Sequence, residues 1–231
     1  MKCTYCGGSC IKRGKRKKRQ CYQCKECRKY QQKEYVKPGI PEEKYDTVRL
    51  LYTRSMGICE LAEVLRVAKS SIQRMIERLT KKLPRTVLNE TGQSYEMDEL
   101  CTYCGKKKVR IWIMYAINRR TKQIVAFSVG RRTKYNLYKV IKSVLELKPK
   151  HIYTDRLNLY KSLIVPGIHK IYPKCTNHIE RKNLTLRVRI KRLGRKTLCF
   201  TRSMKMLYNT VYLWILGDPF AKTNTAIMRI I

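Results

Sequence analysis

Apolar positions along this 231-residue chain change rhythm twice, and each stretch predicts a different kind of structure. Residues 1–36 carry few aliphatic side chains, six cysteines and a basic run, so an ordinary hydrophobic core cannot form there. Val36-Lys-Pro-Gly-Ile-Pro41 has the composition of a linker, and a helical period begins just after it, running over residues 42–83 until Pro84. From Ser94 the pattern turns to strands. Ser94–Asp98 reads as an extended stretch ending at Asp98, followed by alternating runs at Val109–Ile117 and Gln123–Val129. A helix over Tyr135–Leu147, a strand His151–Asp155, a helix Leu157–Ile164 and a short strand Gly167–Tyr172 come next. A long amphipathic segment then opens near Glu180. Phe200, Met204, Leu207, Val211, Trp214 and Ile215 recur at helical spacing, as packing residues do. The order predicts a mixed α/β fold behind a small separate module.

That module has Cys3-Thr-Tyr-Cys6 and, seventeen residues on, Cys24-Lys-Glu-Cys27. Two Cys-x-x-Cys turns at this separation predict one tetrahedral Zn²⁺ held by Cys3, Cys6, Cys24 and Cys27 in a zinc ribbon. Metal binding then supplies the folding free energy that the missing core cannot. Gly7 and Gly8 allow the tight backbone of the first turn. Cys10 and Cys21 complete no usual pair, and Cys101/Cys104 form a third Cys-x-x-Cys without a matching one.

In the second stretch, Ile58, Leu61, Ala62, Leu65, Val67, Ile72 and Ile76 fall where a three-helix core needs apolar groups. This predicts a helix-turn-helix with Ser70 or Ser71 capping its last helix. Lys69, Ser70, Ser71, Gln73, Arg74 and Arg78 then lie on the outer face, where they can meet base edges and phosphates in a major groove.

Charge sharpens this picture. Fifty-three Lys and Arg against sixteen Asp and Glu give a formal net charge of +37, which requires a polyanionic partner. No run of eighteen apolar residues and no apolar leader core is present, so DNA or RNA is expected rather than membrane, in the cytosol. Lys12-Arg-Gly-Lys-Arg-Lys-Lys-Arg19 supplies seven cations between the cysteine pairs, and Lys15, Arg16, Lys17 and Lys18 are expected to contact phosphates without reading sequence.

Against this background carboxylates are scarce. Residues 100–231 hold thirty Lys or Arg but only four acids, Glu146, Asp155, Glu180 and Asp218. If Asp98, Asp155 and Glu180 converge, they form a hard oxygen site for two Mg²⁺ ions, able to activate a water or 3′-hydroxyl and stabilise a leaving oxygen. A parallel strand after a crossover helix would set Asp98 beside Asp155. Arg187, seven residues beyond Glu180 on the same helical face, could hold a phosphate. Each acid also has a structural reading: Asp98 as a turn residue, Asp155 as a helix N-cap, Glu180 as the N3 partner of an Asn177 cap.

Residues 180–203, from Glu-Arg-Lys-Asn through Phe-Thr-Arg-Ser, closely resemble the glutamate-helix signature of the insertion-sequence-one family of DDE transposases. Tyr95-Glu-Met-Asp-Glu-Leu100 resembles that family's first-aspartate motif and Ile152-Tyr-Thr-Asp155 its second, with twenty-four residues between Asp155 and Glu180. The chain differs from the family pattern at Arg156, at Leu207 and at Cys101–Cys104. The resemblance implies a zinc ribbon at 1–36, a helix-turn-helix domain at 40–84, a ribonuclease-H-like catalytic domain at 94–216 and a tail, 217–231, that matches nothing. It also implies an enzyme that binds the terminal inverted repeats of its element, cuts there and joins the ends to target DNA, working as a homodimer or higher oligomer. The nucleic acid is then DNA, in the cytoplasm of a prokaryote and associated with the nucleoid. The alternatives are a catalytically inactive DNA-binding regulator and a host ribonuclease-H-like nuclease or resolvase.

Overall fold

A computed structural model describes residues 1–16, 18–32, 40–83 and 91–216. The expected linker core, Pro84, Lys17 and the 217–231 tail lie outside the described residues. The chain divides into two compact units, residues 1–41 and 42–231.

The first unit is a three-stranded antiparallel sheet, β1 (Cys10–Arg16), β2 (Arg19–Cys24) and β3 (Tyr30–Gln32), in the order β1-β2-β3. The basic run is therefore not a loop: it forms the β1–β2 hairpin, whose described residues Lys12–Arg16 and Lys18–Arg19 are all exposed. Little apolar surface is buried here, as the cysteine-rich composition requires. Buried Gln31 instead ties β3 to the N-terminus, accepting from the Thr4 N–H (2.9 Å) and hydroxyl (2.8 Å) and donating to the Lys2 carbonyl (3.0 Å).

The second unit opens with α1 (Glu42–Thr53), α2 (Ile58–Val64) and α3 (Lys69–Lys82). Val48, Leu61, Ile72, Met75 and Ile76 make their buried core, while Ile58, Leu65 and Val67 are only half-buried. The expected serine cap of α3 is absent. The Ala68 carbonyl already receives the Ser71 and Ile72 amides, so the helix starts two or three residues earlier and Ser70 and Ser71 sit inside its first turn. These helices lean on the last helix of the unit: the Tyr52 hydroxyl hydrogen-bonds that of Thr210 at 2.7 Å, and Lys205 pairs with Glu77 at 2.8 Å.

The rest is a five-stranded mixed sheet of β4 (Ser94–Cys104), β5 (Lys106–Asn118), β6 (Ile124–Gly130), β7 (His151–Tyr153) and β8 (His169–Lys170). Its order is β6-β5-β4-β7-β8; the first three strands are antiparallel and β7 and β8 run parallel to β4. This is the arrangement expected of a ribonuclease-H-like mixed sheet. Strand β4 is longer than Ser94–Asp98, so Asp98 lies mid-strand rather than at its end.

Side chains alternate across β4, and each face has its own helices. Tyr95, Met97, Met114 and Ala116 pack with Leu137, Val140, Ile141 and Val144 of α4 (Lys134–Leu145) and with Tyr160 of α5 (Asn158–Lys161). Leu100, Ile113, Tyr115 and Phe127 pack on the other face with Ile179 and Leu186 of α6 (Asn177–Arg189) and Leu207 and Val211 of α7 (Met204–Leu216). A short 3-10 turn, Lys191–Leu193, joins the last two helices' region to β4 through buried Leu193. Phe200, expected in the helical stripe, precedes α7. Among the described residues no helix is long and apolar enough to cross a membrane.

Candidate functional site

Cys3, Cys6, Cys24 and Cys27 each offer a sulfur within 4.8 Å of the others. The Cys3–Cys27 and Cys6–Cys24 sulfurs are 3.6 and 3.5 Å apart. A tetrahedral ion with bonds of about 2.3 Å separates its sulfurs by roughly 3.8 Å, so the cluster fits Zn²⁺ in donor chemistry and size. Both turns share one backbone: the residue after the second cysteine is left-handed in each, Gly7 at φ 78° and Arg28 at φ 54°. At Gly8 a Cβ would stand 2.5 Å from the exposed Glu26 carboxylate, so a larger residue there would have to push that side chain aside. The Tyr5 N–H donates to Cys3 Sγ at 3.4 Å and draws that thiol down to about 6; the Cys27 N–H lowers Cys24 likewise. These two shifts favour the thiolates a metal needs, while the partner thiols Cys6 and Cys27 are raised. Cys10 and Cys21 instead receive hydrogen bonds from Gln31 and Gln32.

In the sheet, Ser94 pairs with His151, Tyr95 with Ile152 and Glu96 with Tyr153, a constant offset of fifty-seven residues. Asp98 and Asp155 stand at that same offset, one on β4 and one just past β7. With Glu99 they form a cluster whose ligand oxygens all lie within 4.8 Å. The expected neighbourhood of the two aspartates is present, and Glu99 is the acid that sequence reasoning missed. Hard, closely spaced oxygens suit a divalent cation. Desolvation pushes Asp98 up to about 6, with a smaller contribution from the Asp155 charge, and desolvation pushes Glu99 up to about 7, again with Asp155 and Asp98 adding to it. A bound cation would relieve these shifts.

Glu180 lies outside that cluster. It is exposed in the first turn of α6, and its carboxylate accepts the Thr176 hydroxyl at 2.9 Å, although its charge still acts on Asp98. The helix N-cap is Thr176, so the Asn177 cap is not formed. Asp155 is not the N-cap of α5 either; that position is Leu157, whose N–H Asp155 accepts at 3.0 Å in a tight turn. Arg187 donates to the Leu193 (2.8 Å) and Cys101 (3.3 Å) carbonyls, which fasten α6 to the 3-10 turn and β4.

Three further residues position the acids. Asn183 donates to Asp98 Oδ2 at 2.6 Å and accepts the Tyr115 hydroxyl at 2.8 Å; Tyr115 is the β5 partner of Asp98 in register. Buried Glu96 accepts the Ile179 N–H at the start of α6 (2.9 Å) and pairs with Arg119 (2.8 Å), locking that helix end to β4. The Tyr160 hydroxyl donates to Glu99. The signal for Glu96 and Glu99 was present in Tyr95-Glu-Met-Asp-Glu-Leu100, where acids occupy both faces of one apolar strand. His169, without an evident partner in the sequence, hydrogen-bonds the Thr154 hydroxyl at 2.8 Å.

On α3, Lys69, Ser70, Gln73, Arg74 and Arg78 are exposed and Ser71 is half-buried. Arg78 differs from the rest because it already donates to the Tyr45 hydroxyl at 2.9 Å. Lys15, Arg16 and Lys18 project from the β1–β2 hairpin.

Several known proteins are similar to part of this chain. Over 111 residues it is 37% identical to the insertion element IS1 4 protein InsB of Escherichia coli, a match covering 48% of this chain and 66% of that protein. It is 34% identical to the iso-IS1n protein InsB of Shigella dysenteriae and 36% identical to the IS1 protein InsB of Shigella flexneri, each over 48% of this chain and 85% of the relative. A chain from the simian T-cell lymphotropic virus intasome in complex with PP2A regulatory subunit B56 gamma aligns at a TM-score of 0.38 and 15% identity, covering 75% of this chain and 69% of that one. The family model described as IS1 transposase matches residues 93–217. That span begins one residue before β4 and ends one residue after α7, taking in Asp98, Asp155 and the helix of Glu180, and the chain therefore belongs to the IS1 transposase family.

Proposed function

We propose that this chain is a DNA transposase that binds the terminal inverted repeats of its insertion sequence and carries out metal-dependent strand cleavage and strand transfer through Asp98, Asp155 and Glu180. The observation that carries this reading is the meeting of Asp98 and Asp155 across the parallel β4–β7 pair, inside the segment that matches IS1 transposases. Two Mg²⁺ ions, when bound, activate the attacking oxygen and stabilise the leaving one.

The chain's own groups do the rest. Asn183 and the Glu99 N–H, which donates to Asp98 Oδ1 at 2.7 Å, fix the orientation of Asp98. Glu180, whose carboxylate accepts the Thr176 hydroxyl, would complete the metal-holding set with Asp98 and Asp155 from a helix that Glu96 holds in place. Glu99 supplies additional negative charge beside the aspartates. Arg187 secures α6 and adds positive potential toward the phosphate.

Zn²⁺ at Cys3, Cys6, Cys24 and Cys27 holds the N-terminal unit together. The outer face of α3, with Lys69, Ser70, Ser71, Gln73, Arg74 and Arg78, reads the repeat, and Lys15, Arg16 and Lys18 of the hairpin, together with Lys17, grip phosphates. Pairing two element ends calls for at least a dimer on DNA, in the cytoplasm at the nucleoid.

The test uses purified full-length protein and DNA carrying the inverted repeats that flank its coding region. With Mg²⁺ the wild type should nick at the repeat ends and join the 3′ ends to a target plasmid, while Asp155→Asn should bind the repeats without cutting. Wild-type protein that binds but cuts no more than Asp155→Asn would leave only the regulator reading.

A further inference from the structure

On the sheet face covered by α4 and α5, burial falls away beyond Glu99. Cys101, Tyr103 and Trp112 are half-buried and Arg110 is exposed. In the β4–β5 register Cys101 pairs with Trp112 and Tyr103 with Arg110, so all four side chains share this face. Arg132, exposed just after β6, lays its guanidinium 4.3 Å from the Trp112 ring centroid. Burial raises the Cys101 thiol while the charges of Arg110, Arg187 and Arg132 lower it, so three guanidiniums act on this one position. Arg132 also acts on Glu99. An aromatic and cationic platform thus adjoins the carboxylate cluster.

We propose that this platform receives an unpaired nucleotide of the DNA strand held at the carboxylates, its base stacked on the outer face of the Arg132 guanidinium and its phosphate met by Arg110. The proposal rests on the reading of the carboxylates as a phosphodiester site. A guanidinium is planar and weakly hydrated, and one already laid on an indole loses little freedom when a base adds the next layer. Positive charge alone would attract any phosphate. The layered geometry is more selective, because a base inside a duplex has both faces covered and cannot stack on the side chain. Cys101 lies two residues along β4 from Glu99, the member of the carboxylate cluster on this same face, about 7 Å or roughly two base steps of a strand, while Asp98 points to the other face toward Asn183. The stacked nucleotide would therefore belong to the first few beside the scissile phosphate.

The experiment uses the full chain carrying Asp155→Asn, so that no cutting interferes, and follows the anisotropy of a labelled blunt duplex and of the same duplex with a short single-stranded extension. The extended DNA should bind about fivefold tighter or more. Arg132→Lys, an exposed change that keeps the charge and removes the plane, should abolish that preference and leave blunt-duplex affinity nearly unchanged. Trp112→Leu should abolish it too, and Arg110→Ala should weaken both DNAs. Absence of a preference in the parent, or its survival in Arg132→Lys, overturns the platform. A wild-type chain that cleaves repeat DNA yet shows no preference for the extension would keep the transposase reading and lose this one.

Discussion

Asn183 donates to the Oδ2 oxygen of Asp98 across 2.6 Å, tying the middle of β4 to the second turn of α6. Its other amide atom accepts the Tyr115 hydroxyl, so one side chain links the helix, the acid and the neighbouring strand. Asn183→Ala should strip half-buried Asp98 Oδ2 of this donor and leave the buried Tyr115 hydroxyl only the Ile179 carbonyl at 3.3 Å, and cost about 1–3 kcal/mol of stability, read by chemical denaturation. Tyr115→Phe should cost less, and the double variant should fall short of the sum of the two. Additive losses would mean that the three groups do not act as one network.

The acids also set a pH dependence. Asp98 at about 6 and Glu99 at about 7 are both raised, so in the metal-free protein the folded state binds more protons than the unfolded state above the ordinary carboxylate range. Their contribution to stability is full below about pH 4 and is lost as pH rises through 6 to 7. A divalent cation replaces those protons. Adding Mg²⁺ should therefore raise Tm more at pH 8 than at pH 5, and Asp155→Asn should raise the metal-free Tm at pH 8 while removing the response to Mg²⁺. An equal response at both pH values would count against the cluster as a cation site.

Much of this site was legible in the sequence, and what was not has a physical reason. The crossover rule and the two apolar strands led to Asp98 beside Asp155, because parallel register follows from chain order. Glu99 and Glu96 were harder: an acid in a strand normally marks the solvent side, and only the helices on both faces of β4 make these two buried. Asn183 looks like any polar residue on a basic helix; its role depends on Tyr115, sixty-eight residues away, being the β5 partner of Asp98. The serine cap failed because Ala68 can begin α3 with backbone groups alone. The hairpin was hidden because Lys and Arg are poor strand markers, and its pairing is imposed by the knuckles at its base.

Zinc should follow the four clustered sulfurs and ignore the two nearby cysteines. Full-length protein is expected to hold one Zn²⁺ per chain by metal analysis. Cys24→Ser, which removes a buried sulfur, should lose it, whereas Cys21→Ser should retain it because Cys21 is engaged by Gln32 instead. Chelation should unfold residues 1–41 and leave the α-helical signal of the second unit in place, since that unit has its own core. Equal metal content in the two variants would refute the ligand set.

DNA reading and DNA gripping should separate between α3 and the hairpin. Gln73 and Arg74 are exposed on α3 without a side-chain partner among the described residues, and they lie one turn into the helix, where base edges are met. Gln73→Ala and Arg74→Ala should each cost about 1–3 kcal/mol on repeat DNA and little on random DNA. Lys15→Ala, Arg16→Ala and Lys18→Ala should weaken both DNAs alike and reduce the salt slope by about 0.9 for each phosphate left unneutralised. Arg78→Ala should behave differently from either group: it breaks the bond to Tyr45, so it should lower stability as well as affinity. Binding titrations on both DNAs over a range of salt concentrations decide the matter, and hairpin variants that lose sequence discrimination while α3 variants keep it would reverse the two roles.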